Sequence, residues 1–79
     1  MNYEEVGSEL ECASAAECMA FARKHGTSTD PLVRDLATFA LFSATAKCER
    51  LAGRIQVAQL AEMQAESAYV RLQGAGVSW

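Results

Sequence analysis

From Pro31 to Gln73 the chain runs 43 residues with no further proline and one interior glycine, Gly53. An average globular helix has about 11–12 residues, so a breaker-poor stretch of this length predicts one continuous helix over about 31–73. Along it a 4,3 spacing of mostly apolar residues holds without a phase break, through Ala37, Leu41, Ala44, Cys48, Leu51, Ile55, Ala58, Glu62, Ala65, Tyr69 and Leu72. A seam that regular requires a facing helix, and the residues before Pro31 are too few to line all of it. The expected fold is therefore all-α: a helical hairpin with a long second helix, assembled as a homodimeric four-helix or coiled-coil arrangement. The competing architecture is a three-helix bundle with a turn near Gly53. Against it stands the weakness of a single glycine as a turn signal without a nearby Pro or Asn/Ser/Asp cluster.

With 79 residues the chain is read as one domain, 1–79. A monomer of this size buries only about 60% of its unfolded surface, so association would add needed stability. Half of the residues (51%) are apolar, but many are alanine, which favours helix while adding little core volume. A net charge of −3 and a pI near 5.0 argue against nucleic acid as a partner, because phosphate binding requires clustered Lys and Arg. No window offers the roughly 20 uninterrupted apolar residues of a membrane span, and the acidic start Met1-Asn2-Tyr3-Glu4-Glu5 lacks the features of a signal peptide. The expected location is cytoplasmic, with no membrane partner. Three cysteines without tight spacing fit buried apolar thiols in a reducing compartment.

The first helix is expected over about 3–25, started by Asn2 with Glu5 or by Ser8 with Glu11, both at capping spacing. Gly7 inside it costs roughly 1 kcal/mol relative to alanine. Arg23, Lys24 and His25 suit a helix C-terminus, and Gly26 suits a left-handed position just past it. The loop 26–30 leads to Asp30 as N-cap and Pro31 as first helical residue; residues 74–79 form a tail. So short a connection predicts antiparallel neighbours. A turn near Ser28 would then set Glu9 by Lys47, Glu5 by Arg50 or Leu51, and Glu4 by the segment up to Arg54, acidic helix against basic stripe. Helix 2 beyond Arg54 is left without an intrachain match.

Candidate chemistry is sparse. Cys12, Cys18, Cys48 and His25 have the composition of a zinc set, but Cys12 and Cys18 are about 120° apart on a helix, and Cys18 and His25 are roughly 10 Å apart along it. A Cys/His nucleophile pair would need hydrogen-bond reach that this layout does not give. Glu62 and Glu66 resemble half of a di-iron helical site, yet no Glu-x-x-His motif accompanies them. No metal, cofactor or catalytic residue is expected. Leu10, Met19, Phe21, Leu36, Phe39, Leu41 and Phe42 are the expected hairpin core. Glu62, polar within the seam, reads either as a register-fixing device or as a solvated residue, and Tyr69 and Trp79 as interface anchors.

These features predict a non-enzymatic protein–protein interaction module that homodimerises and blocks or scaffolds a larger protein. Its partner-binding or dimer face would be Leu51, Ile55, Ala58, Glu62, Ala65, Tyr69 and Leu72. In size and class the chain is similar to small acidic helical inhibitors and adaptors encoded by phages and other mobile elements, anti-CRISPR proteins among them. The alternative is a chaperone-like or structural subunit of a secretion apparatus, since the Asp30-Pro31 turn and the overhanging second helix resemble type III needle subunits and their small helical chaperones.

Overall fold

Asp30 and Pro31 start a helix as their chemistry requires: the Asp30 carboxylate accepts from the Leu32 N–H at 2.9 Å, and Pro31 occupies the first turn. That helix does not run to Gln73. The computed structural model describes all 79 residues as four α-helices and no strand: α1 (Tyr3–Cys12), α2 (Ala15–His25), α3 (Pro31–Leu51) and α4 (Ile55–Gly74). The all-α expectation holds, and the continuous helix over 31–73 is corrected to a pair joined by a turn at Ala52-Gly53-Arg54. A straight helix of that length would measure about 65 Å at 1.5 Å per residue, whereas the whole molecule spans 34 × 22 × 20 Å.

The turn is a complete Schellman motif. Gly53 takes φ +81°, which an L side chain adopts only under strain. Its N–H donates to the Arg50 carbonyl at 3.1 Å, and the Arg54 N–H donates to the Glu49 carbonyl at 2.9 Å. Where such motifs often carry an apolar contact, this one carries an ion pair between the Arg54 guanidinium and the Glu49 carboxylate. α4 ends by the same device: Gly76 takes φ +89°, the Val77 N–H donates to the Leu72 carbonyl at 2.9 Å, and the Gly76 N–H donates to the Gln73 carbonyl at 3.0 Å. Here the apolar contact is present, since Val77 and Leu72 are both buried.

The expected first helix, 3–25, is likewise two helices. Asn2 caps α1 by accepting from the Glu5 N–H, while Ser8 lies within α1 and caps nothing. The break falls at Ala13-Ser14, where Ser14 and Glu17 form a reciprocal capping box that starts α2. The Lys47 ammonium of α3 covers the end of α1 by donating to the Ala13 and Glu11 carbonyls. Lys47 thus lies near the expected segment but binds backbone carbonyls rather than Glu9, because the helix break frees them. Gly26 is right-handed (φ −62°) rather than left-handed; it accommodates close approach instead, since a Cβ there would lie 2.7 Å from the Ala22 carbonyl oxygen.

α3 is the central element: α4 packs along it most extensively, α2 less so and α1 least. The core joins Leu10, Cys18, Leu36, Phe39, Ala40, Ala44, Ala65, Ala68, Leu72 and Val77, with Met19, Phe21 and Phe42 packed against it. Leu41, expected in this core, is exposed. Cys18 is fully enclosed and its thiol donates to the Leu10 carbonyl, whereas Cys12 and Cys48, expected to be buried, are exposed. Burial pushes the Cys18 thiol pKa up, opposed by the nearby Lys47 ammonium.

Candidate partner-binding surface

Burial divides α4 into an inner and an outer face. Ala58, Ala61, Ala65, Ala68 and Leu72, at 3,4 spacing, form the inner ridge and are buried. Ala65, Ala68 and Leu72 share one buried cluster with the α3 residues Ala40 and Ala44, and small side chains on both helices let the axes approach closely. The expected seam is therefore satisfied within the chain. Of its residues, Ala58, Ala65 and Leu72 are core, which corrects their assignment to a partner-binding face. At the two places where the expected spacing fell on Glu62 and Tyr69, the buried positions are Ala61 and Ala68 instead. Glu62 turns to the surface and pairs with Arg50.

Tyr69 is also drawn inward. Its hydroxyl donates to the Trp79 main-chain oxygen at 2.7 Å, and its ring meets the Trp79 indole edge-on at 4.6 Å between centroids. Trp79 also packs edge-on against Phe39 at 5.3 Å, and its Nε1 donates to Glu11 at 3.1 Å. The indole lies on Gly7, where a Cβ would overlap the ring. Tail residues 77 and 79 are thus packed against the bundle, and neither Tyr69 nor Trp79 is presented outward as an anchor. The missing Cβ at Gly7 was the sequence signal for this docking.

The basic residues of α3 and the turn do not meet α1 glutamates as expected. Arg50 pairs with Glu62, Arg54 with Glu49, and Arg71 with Asp35 at 3.1 Å. The folding back of α4 brings Glu62 to Arg50 and Arg71 to Asp35, and the turn brings Arg54 back onto Glu49 of α3. The Arg54 hydrogen bond holds the Glu49 carboxyl below its usual pKa range, and Glu49 correspondingly raises that of Arg54. An open cleft of about 290 Å³ lies between α1, α3 and α4, floored by Phe39, Ala46, Ala65 and Tyr69. On its rim Lys47, Arg50, Glu62 and Glu11 already have partners within the chain, which leaves Glu66 as the one lining charge without such a partner and no converging polar set. No three His, Cys, Asp or Glu side chains come together in a group that could hold a metal ion.

The fold leaves several large apolar side chains outward. Eight large hydrophobic residues are exposed, and six of them fall between Leu51 and Val70: Leu51, Ile55, Val57, Leu60, Met63 and Val70. Leu51 is 89% exposed at the tip of the α3–α4 turn, with Ile55 and Val57 following it; Leu60 (63%), Met63 (62%) and Val70 (55%) continue along the outer face of α4. Leu51 and Ile55 are the two apolar residues of the expected partner-binding set that the fold leaves available. Comparison with protein-family models, curated proteins and solved structures gives no match. Val57, Leu60, Met63 and Val70 lie in the segment beyond Arg54 expected to lack an intrachain match, but the expected partner-binding set follows the longest seam and omits a second one. Its signal was an α4 rich in apolar residues on two opposite faces, more than one intrachain neighbour can cover. No helix is long and apolar enough to cross a membrane.

Proposed function

We propose that this chain is a non-enzymatic protein–protein interaction module, a small helical inhibitor or adaptor that docks on a larger protein through the tip of the α3–α4 turn. The observation that supports this is the concentration of exposed large hydrophobics between Leu51 and Val70, headed by Leu51 at 89% exposure. An apolar side chain this exposed contributes nothing to the intrachain core, and contiguous exposed apolar surface in a soluble domain characteristically serves binding. The Schellman hydrogen bonds and the Glu49–Arg54 pair brace the turn, so Leu51 and Ile55 are presented with little ordering cost on docking.

The test is quantitative affinity capture from the native host, comparing the unaltered chain with Leu51→Ser/Ile55→Ser and, as a surface control, Arg34→Ser. The reading predicts a captured protein that is lost with the tip variant and kept with the control. Equal capture by all three chains would refute the tip as the docking surface.

A further inference from the structure

The outer face of α4 carries a seam of its own. Leu60, Met63, Ser67 and Val70 follow 3,4,3 spacing and all are exposed, which is the a/d pattern of a two-stranded helix pair. Ser67, the polar member, does not disqualify it: its hydroxyl already donates to the Met63 carbonyl at 3.1 Å, so burial leaves no unsatisfied donor.

The charges of α4 indicate what covers this seam. The helix has three ionised side chains, Glu62, Glu66 and Arg71, of which Glu62 turns away to Arg50. With Leu60 and Ser67 at a and Met63 and Val70 at d, Glu66 falls at g and Arg71 at e, on opposite flanks of the stripe. In a parallel pair, g of one helix meets e of the next heptad on the other, five residues on. Two copies of α4 side by side therefore set each Glu66 against the other copy's Arg71, twice by symmetry. In an antiparallel pair like flanks face each other, and acid would meet acid. Glu66 forms no ion pair within the chain, and the Arg71 guanidinium engages Asp35 through Nε, leaving its terminal nitrogens for a second carboxylate.

We infer that the outer face of α4 is the self-association surface of this protein, occupied by the same face of a second copy in parallel orientation. This deepens the interaction-module reading and rests on it, because parallel pairing brings two Gly53 turns to one end and sets both Leu51/Ile55 tips side by side for a common partner. Two heptads bury less than the about 800 Å² per partner of a standard interface. The pair is accordingly weak and concentration-dependent, with dissociation in roughly the micromolar to millimolar range.

Sedimentation equilibrium of the full chain between about 10 μM and 1 mM reads the association, with circular dichroism checking that each variant keeps its helix content. The expected mass climbs from 8.5 kDa toward twice that value, Leu60→Lys/Met63→Lys stays monomeric, and Glu66→Lys weakens association about three- to tenfold in a salt-dependent way. In a Cys12→Ser/Cys48→Ser background, Ser67→Cys should cross-link to itself on mild oxidation. A monomer at every concentration, a dimer indifferent to Leu60→Lys/Met63→Lys, or cross-linking only in a mixture of Leu60→Cys and Ser67→Cys chains would overturn the inference. A monomer that still captures its partner through Leu51 and Ile55 would overturn this inference alone; loss of that tip dependence with dimerisation intact would overturn the docking reading alone.

Discussion

Replacing Gly7 with alanine should destabilise the protein even though alanine is the better helix former. Within α1 the exchange favours the folded state by about 0.8–1 kcal/mol through helix propensity. Against this, the new Cβ would lie 2.6 Å from Cδ2 of Trp79 and closer still to Cε3 and Cζ3. Carbon atoms pack best at about 3.5–4.0 Å, so the ring would have to retreat by more than about 1 Å. It cannot do so freely, being held edge-on by Phe39 and Tyr69 and by the Nε1–Glu11 hydrogen bond. Overpacking of this kind costs about 1–3 kcal/mol, which leaves a net loss of up to about 2 kcal/mol, or up to roughly 8–16 °C in Tm for a domain of this size. Removing the ring should reverse the sign: in a Trp79→Ala background, Gly7→Ala should stabilise by about 1 kcal/mol. Urea unfolding followed by circular dichroism on the four chains reads this cycle, and is preferable to fluorescence because Trp79 is the single tryptophan. If Gly7→Ala stabilised equally in both backgrounds, the docking of Trp79 on α1 would be refuted.

Ser14→Ala, which removes the hydroxyl that accepts from the Glu17 N–H but keeps the backbone N–H that donates to the Glu17 carboxylate, should cost about 1 kcal/mol of unfolding free energy, whereas Ser8→Ala should leave stability unchanged or slightly raised. Thiol titration of the native protein should show Cys12 and Cys48 reacting promptly and Cys18 only at the rate of unfolding, since Cys18 is enclosed and its pKa is raised by burial; three fast thiols would contradict its burial. The Tyr3 hydroxyl bonded to Asp30 lowers the carboxyl pKa, with the Leu32 N–H contributing next, and the same bond raises that of the phenol. The carboxylate's contribution is therefore present above about pH 4 and lost as pH falls through its lower folded value, while the phenol's is present below about pH 10 and lost as pH rises through its higher folded value. Tyr3→Phe should flatten both limbs of the stability–pH curve, and unchanged limbs would refute the link.

The elements legible from sequence were those set by local chemistry. Asp30-Pro31 and the basic run before Gly26 marked the α2–α3 connection correctly, and the all-helical class followed from alanine content and the scarcity of breakers. Gly53 was harder to read because the seam continued across it in phase, so periodicity outweighed a single glycine. The repeated Ala-Gly at 52–53 and 75–76 was the available hint, since both glycines close a helix by the same motif. Ser14-Ala-Ala-Glu17 is an equally clear capping box, overlooked because Ser8 and Glu11 have the same spacing. The expected partner-binding set included three α4 residues, Ala58, Ala65 and Leu72, that the fold buries. Two apolar faces compete for one neighbour, and the alanine-rich face wins because it lets α3 approach; sequence pattern alone does not rank them.

α4 folds back on its own α3 and so leaves its outer face exposed. The most direct measurement is an isotope-filtered NOE experiment on a mixture of labelled and unlabelled chains, reading the Phe39–Tyr69 ring pair, whose centroids lie 6.5 Å apart. In a continuous helix these residues would be about 45 Å apart within one chain. The NOE is expected wholly within one chain, undiminished on dilution. An NOE found only between chains, or none at all, would contradict the fold-back.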